Sequence, residues 1–253
     1  MNKKNRKTSI AAVVLAAGKG KRMNSKTFNK VVLTLGRKPM IIHTIALLEA
    51  LKVVPIVVVV GFAKDSVISA LGNYNVLFAE QKKHLGTAHA VQCGLKKLDR
   101  KISDVLVLNG DDSAFYRENL LKRLIQRHLA VGASMTFLTI TLDDPAGLGR
   151  IIRDKKGHVL AIIEEKDATE KQREIKEVNP ACYLFSLEFL RKYLKKVKKS
   201  KVSGEYYLVS LVELARKHSE RIEAVRGGRI DWRGVNTPKE LEEAQQMFGR
   251  VHL

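Results

Sequence analysis

Only two cysteines, Cys93 and Cys182, occur in the 253 residues. Neither sits in a paired-ligand spacing, so a disulfide and a zinc site are not indicated and each reads as a structural thiol. No apolar run approaches the roughly 20 residues of a membrane span. The most apolar stretch, 53–60, is strand-length and interrupted by Pro55. The basic start, Met1-Asn-Lys-Lys-Asn-Arg-Lys, runs into the body of the chain without a small-residue cleavage site, and a cytoplasmic location is expected. No low-complexity linker and no internal repeat divides the sequence, so a single domain over 1–253 with a basic tail at 1–9 is expected. Acidic residues are scarce beside basic ones, 26 against 46, which leaves a formal net charge of +20. Such an excess could signal a polyanionic partner. The lysines, however, are spread along the chain apart from one dense run at 191–201, and no aromatic-plus-basic motif of the kind that stacks bases is present. A solvated basic surface with an anionic small-molecule substrate is expected, without a specific nucleic-acid partner. Apolar residues make up 45% of the chain, enough to bury a substantial core.

Strand-like runs at 10–16, 56–60, 75–79, 105–109 and 135–141 alternate with helical patterns at 40–52, 64–71, 88–98 and 117–130. That alternation predicts an α/β fold, a Rossmann-like mixed and mainly parallel sheet with helices on both faces. After Asp143-Asp-Pro-Ala-Gly147 the pattern shortens to strands at 149–153 and 159–164, a charged stretch, and a strand at 178–185. A small antiparallel insertion over about 143–186 is expected. Helices at 187–196 and 207–218, a strand near 222–225 and a helix at 238–248 follow, the last with Thr237 as N-cap and Pro238 at its first position.

The most informative segment is Val14-Leu-Ala-Ala-Gly-Lys-Gly-Lys-Arg-Met23, a glycine-rich turn directly after a buried strand. Gly18 and Gly20 lack a Cβ, so positive φ is open to both and backbone N–H groups can approach phosphate oxygens. Lys19, Lys21 and Arg22 add positive charge. Met23 stands where both the Walker A and the dinucleotide patterns need glycine, so neither applies. Parallel sheets take ligands outside the carboxyl ends of their strands, which is where Gly18, Gly20, Asn109 and Asp111 fall.

With its further motifs the chain resembles the sugar nucleotidyltransferases, and among them the uridylyltransferase half of bifunctional N-acetylglucosamine-1-phosphate uridyltransferases. The resemblance runs from about Ala11 to Glu243. It is carried by Leu15-Ala-Ala-Gly-x-Gly-x-Arg-Met23, Lys30-Val31, Gly36-Arg-Lys-Pro-Met40, Gln81-x-x-x-Leu85-Gly-Thr-Ala-His-Ala90, Asn109-Gly-Asp111, Gly147-Leu-Gly-Arg-Ile151, Glu164-Glu-Lys-Asp-Ala168, Gly204-Glu-Tyr-Tyr207 and Gly234-Val-Asn236. It implies a Mg²⁺-dependent transfer of UMP from UTP to a sugar 1-phosphate, most closely N-acetylglucosamine 1-phosphate, with release of pyrophosphate. Arg22 and Lys30 would then be the catalytic cations. Leu15, Ala16, Ala17, Gly18, Gly20, Gln81, Gly86 and Thr87 would bind the nucleotide, Gly149, Glu164 and Asn179 the sugar, and Asp111 and Asn236 the Mg²⁺. Read alone, Asp111 fits a turn or helix cap and Lys30 a surface lysine. Thr87 is expected to cap the following helix, and His89 to be a packed structural residue of it.

The chemistry suits those residue types. A sugar phosphate has a second pKa of about 6, so its oxygen is already an anionic nucleophile at neutral pH, and the protein need only position it and neutralise charge. The Gln81 amide can match uracil, but by flipping it would match cytosine equally well, so discrimination is expected from backbone near Leu85-Gly86. Several positions depart from the family: Asn29 stands for a proline, Asp112-Ser-Ala for a more apolar turn, Pro180-Ala181 for Thr-Gly, and Val209-Ser210 for Thr-Asp. Another sugar phosphate, CTP with an alcohol phosphate, or a weakened relative that binds nucleotide or RNA stay open as alternatives. These 253 residues hold no β-helix of hexapeptide period, so acetyltransferase activity is not expected, and a monomer or weak oligomer is.

Overall fold

The computed structural model describes residues 8–23, 25 and 27–251. Most of the basic tail expected at 1–9, and the side chain of Lys21, lie outside the described residues. In chain order the strands are β1 (Ile10–Ala16), β2 (Thr34–Leu35), β3 (Lys38–Pro39), β4 (Ile56–Val60), β5 (Leu77–Glu80), β6 (Asp104–Asn109), β7 (Met135–Thr141), β8 (Gly149–Arg153), β9 (Val159–Ile163), β10 (Glu177–Asn179), β11 (Tyr183–Ser186) and β12 (Ile222–Arg226). The α-helices are α1 (Met40–Ala50), α2 (Lys64–Ala70), α3 (Thr87–Leu95), α4 (Glu118–Val131), α5 (Glu170–Arg173), α6 (Leu187–Tyr193), α7 (Leu211–Lys217) and α8 (Pro238–Val251). Among the described residues no helix is long and apolar enough to cross a membrane.

Ten strands form one mixed sheet in the order β5-β4-β1-β6-β11-β7-β10-β8-β9, with β12 parallel to β7. The section β5-β4-β1-β6 is parallel throughout. Its central strands β1 and β4 read as continuous apolar runs because both faces are covered. Along β1, Ala11 and Val13 face a cluster that holds Val91 of α3, Leu190 of α6 and Val212 of α7. Ala12 and Val14 face the opposite cluster, with Ile41 and Ile45 of α1, Val67 of α2, Leu124 of α4 and Ala244 of α8. The two-residue alternation of a strand thus feeds two helical layers. On the α3 side the fit is close: a Cβ on Gly94 would come within 2.9 Å of Val13.

The expected α/β architecture is the one observed, with shifts at its edges. The strand expected at 75–79 runs Leu77–Glu80, and the helix expected at 207–218 is a 3-10 turn, Leu208–Ser210, leading into α7. The charged stretch holds α5, closed by a capping box between Thr169 and Gln172. The largest departure is at 178–185, expected as one strand. β10 and β11 do pair along the same strand, β7, but the register jumps between Val178 opposite Ile140 and Tyr183 opposite Phe137. The bulge is Pro180-Ala181-Cys182, with Ala181 at φ 57°, in the left-handed region.

Left-handed backbone costs an L residue about 1–2 kcal/mol, while glycine in exchange costs about 0.4–1 kcal/mol of unfolded-chain entropy. Ala181→Gly is therefore expected to stabilise the protein by about 0.5–1 kcal/mol, seen as a rise of roughly 1–3 °C in the melting temperature. A lower melting temperature would show that the Ala181 methyl packs favourably enough to outweigh its strain.

Candidate active site

The carboxyl ends of β1 and β6 lie side by side, Leu15 opposite Asn109, and open into a cavity of about 750 Å³. Every residue to which the resemblance gave a role lines it: Leu15, Ala16, Ala17, Gly18, Gly20, Arg22, Lys30, Gln81, Gly86, Thr87, Asp111, Gly149, Glu164, Asn179 and Asn236. They come from the loop after β1, the loop before α3, the turn after β6, the β8–β10 region and the entry to α8. Sequence-distant segments therefore meet at the place where a sheet of this kind leaves a crevice.

The glycines of the first loop differ in role. Gly20 is at φ 54°, whereas Gly18 does not use the positive φ open to it. A Cβ on Gly18 would meet no protein atom within 4 Å. What glycine preserves there is open space against the backbone of the cavity wall. Lys19 rests its ammonium 5.8 Å from the centre of the Phe62 ring, and Arg22 is exposed. Asn29, which replaces a family proline, is completely buried and ties the loop down. Its Nδ2 donates to the carbonyls of Ala16 at 3.0 Å, Gly18 at 3.1 Å and Phe62 at 2.9 Å, and its Oδ1 accepts from Val31 N–H. The sequence shows only a polar replacement; its side-chain partners lie up to 33 positions away.

Lys30 is the charged centre of the site. Its Nζ pairs with the Asp111 carboxylate and donates to Asn236 Oδ1 at 2.8 Å and to the Val235 carbonyl at 2.9 Å. It is thus no free surface lysine. Asp111 caps no helix: the 3-10 turn that follows, Ser113–Phe115, begins after Asp112. Asn236 is held from the other side, because its N–H donates to Glu240 Oε2 at 2.7 Å while Thr237 Oγ1 caps α8 by accepting from Glu240 N–H. The expected N-cap is therefore present, and it positions a site residue. Asp112 is buried beside Asp111 and accepts from Asn109 Nδ2 at 2.9 Å. Burial first, then the neighbouring Asp111 charge, push its carboxyl well above the usual range.

Three oxygens thus already surround one cation, the Lys30 ammonium. An all-oxygen set with one carboxylate suits a hard divalent ion that retains several waters. Asp111 and Asn236 fit that group.

At the wall ahead of α3, Gly86 stands at φ 103°, and a Cβ there would fall 2.6 Å from the Tyr206 carbonyl oxygen. The segment is pinned to the Gly204-to-Tyr207 motif: Tyr206 N–H donates to Leu85 O, and Ala88 N–H to Tyr206 O. Thr87 does not cap α3. It is the first helical residue, and its Oγ1 accepts from Leu208 N–H at 2.9 Å. His89 contacts Gln81 at 3.0 Å, a polar contact that the expectation of a simply packed histidine missed.

The wall formed by the β8–β10 region is more heavily committed to itself. Asn179 Oδ1 accepts from Ala181 N–H and from the Tyr183 hydroxyl, and Nδ2 donates to Leu138 O, which leaves one N–H for a ligand. Arg150, a motif residue given no role from sequence, is completely buried and pairs with Glu165 at 2.7 Å. Glu165 also accepts from Gly147 N–H, so this pair shapes the loop that carries Gly149. Burial, followed by the charges of Asp167 and Glu205, pushes the Glu164 carboxyl up to about 7. The cysteines are free, and Cys182 is buried in the bulge. Among the described residues no group of three or more His, Cys, Asp or Glu gathers as a metal cluster.

Known proteins share this arrangement of chain. The sequence model of the Nucleotidyl transferase family matches residues 11–249. The Bifunctional protein GlmU of Caldicellulosiruptor saccharolyticus is 41% identical over 236 residues, covering 92% of this chain and 50% of that one. The GlmU of Caldanaerobacter subterraneus is 38% identical over 241 residues, 95% of this chain and 52% of its own. The chain thus spans about half the length of these relatives. A crystal structure from Bacillus anthracis, named for a glucose-1-phosphate thymidylyltransferase in complex with a sucrose, superposes with a TM-score of 0.82 over 97% of both chains at 20% identity, a likeness of fold. With the family's model matched over nearly the whole length, the chain belongs to the nucleotidyl transferase family and is a nucleotidyltransferase.

Proposed function

We propose that this protein transfers UMP from UTP to a sugar 1-phosphate, N-acetylglucosamine 1-phosphate first among them, in a Mg²⁺-dependent reaction that releases pyrophosphate. The observation that carries the reading is the convergence of the glycine loop, the Gln81–Gly86 segment, the Lys30–Asp111–Asn236 cluster and the Gly149–Glu164 wall on one cavity. Its volume falls within the usual range for small-molecule sites. The chains named GlmU, at about 40% identity, support the uridylyl assignment.

The sugar phosphate oxygen attacks the α-phosphorus in line, the new P–O bond forms as the bond to the β-phosphate bridge breaks, and pyrophosphate departs with the electron pair. Backbone N–H groups of the loop after β1 and the side chains of Arg22 and Lys30 hold phosphate oxygens and take up the charge that grows on the leaving group. Asp111 and Asn236 would hold the divalent ion, which supplies further positive charge at the triphosphate. Gln81 and Gly86 read the base. Gly149, Glu164 and the remaining Asn179 N–H read the sugar. A second reading keeps this chemistry and changes the sugar, favoured by the Pro180-Ala181 bulge and by the occupied Asn179 oxygen.

The test is pyrophosphate release with Mg²⁺ over a grid of UTP, CTP, dTTP, ATP and GTP against N-acetylglucosamine, glucosamine, glucose and galactose 1-phosphates. Release confined to UTP and N-acetylglucosamine 1-phosphate is expected. UTP with another sugar would reassign the acceptor, and silence throughout would overturn the reading.

Glu164 gives the site a pH signature. Its carboxylate accepts from sugar hydroxyl or N-acetyl N–H groups, and with a carboxyl near 7 the ionised fraction rises across neutrality. The KM for the sugar phosphate is expected to fall about tenfold between about pH 6 and about pH 8. In Glu164→Gln only the small contribution of the substrate's own phosphate should remain. Equal pH slopes in the two proteins would remove Glu164 from sugar binding.

A further inference from the structure

The direction of the Gln81 amide decides which hydrogen-bonding edge the base end of the cavity presents, since a flipped amide would offer the opposite one. Two neighbours set it. The Gly86 carbonyl oxygen lies 3.1 Å from Nε2, and a carbonyl only accepts, so the amide nitrogen is the atom that faces it. The second Nε2 hydrogen points to His89 Nδ1 at 3.0 Å. An amide nitrogen cannot accept, so Nδ1 must be the bare lone pair and the ring proton must sit on Nε2. That Nε2 faces Cys93 Sγ, one turn along α3, at 3.9 Å. Both amide hydrogens are thereby spent. Gln81 is buried yet lines the cavity, and its Oε1 is the amide atom without a hydrogen bond among the described residues.

We infer that His89 is a specificity-determining positioning residue: its Nδ1 lone pair holds the Gln81 amide so that Oε1 offers an acceptor to the base. A pyrimidine whose N3 carries a proton satisfies that acceptor directly. Cytosine, with a lone pair at N3, meets it with repulsion or must shift to use its exocyclic amine. Amide flipping, which from sequence would make uracil and cytosine equivalent, is blocked from two sides, by Gly86 O and by His89. The inference rests on the uridylyl reading of the same cavity, and it adds a residue that touches neither base nor phosphate.

His89→Leu removes the acceptor; His89→Asn places an amide oxygen near the former Nδ1. With UTP and CTP as competing donors, the Leu variant is expected to lower the UTP-to-CTP ratio of kcat/KM by about five- to tenfold, the worth of one buried hydrogen bond. The change should lie in the KM for UTP, with kcat within about twofold, and the Asn variant should restore most of the ratio. An unchanged ratio in the Leu variant, or an equal loss in both variants, would overturn the inference. Should the variants fail to fold, the ¹⁵N shifts of the His89 ring in the native protein still decide. A proton on Nε2 is expected, and a proton on Nδ1 overturns the inference. Failure of the underlying reading looks different, because the native protein would then release no pyrophosphate from UTP while the ring tautomer could still be read.

Discussion

Asp111→Asn is expected to lower kcat about a hundredfold or more, by loss of charge at the reacting triphosphate, while the fold stays intact. The side chain is nearly isosteric and keeps an oxygen for Lys30, so the Asn236 and Val235 contacts of that lysine can persist. What disappears is the carboxylate that faces Lys30. The neighbouring Asp112 is buried and turned toward Asn109 and Ser113, so it does not take that place. The variant should show a melting temperature close to that of the native protein, and its pyrophosphate release, followed at saturating Mg²⁺, should stay low. Native turnover at saturating Mg²⁺ would exclude Asp111 from the site.

Much of this architecture is legible in the sequence because the central strands obey a simple rule. β1, β4 and the 105–108 stretch of β6 are apolar at every position, which only a sheet covered on both faces tolerates, and the helices between them fill those faces. The placement of the glycine loop and of Asp111 follows, since both begin where a parallel strand ends. The sequence fails where long-range hydrogen bonds decide the outcome. Residues 178–185 read as one largely apolar run in which only Pro180 signals an interruption, and nothing in it announces left-handed backbone at Ala181. Asn29 reads as a lost proline and is in fact the clamp of the glycine loop. Arg150 carries no role in the sequence reading, yet it is buried and pairs with the half-buried Glu165. Thr87 reads as a helix cap because its type suits one, yet its hydroxyl serves a backbone N–H more than 100 positions away. Such partners leave no periodicity to find.

Gly86→Ala should destabilise the protein by about 2–5 kcal/mol, from a backbone region almost confined to glycine together with overpacking. At φ 103° and ψ 178° an L residue is strained whatever the space around it. Here there is also no space: the new methyl would fall 2.6 Å from Tyr206 O and 2.8 Å from Tyr206 N, both backbone atoms that cannot rotate aside. Relief requires separating the loop from Tyr206, which breaks the Tyr206-to-Leu85 and Ala88-to-Tyr206 hydrogen bonds and moves the Gly86 carbonyl away from Gln81. Stability and base recognition should therefore fall together, with a higher KM for UTP in whatever protein remains folded. Gly132→Ala is the control, because that glycine is also left-handed, at φ 60°, but a Cβ there meets nothing within 4 Å. It should cost only about 1 kcal/mol, the conformational strain alone, with KM unchanged. Denaturant melts of the two variants separate the contributions. If Gly86→Ala costs no more than Gly132→Ala, the loop can part from Tyr206 freely, and its close packing has no bearing on how the base is held.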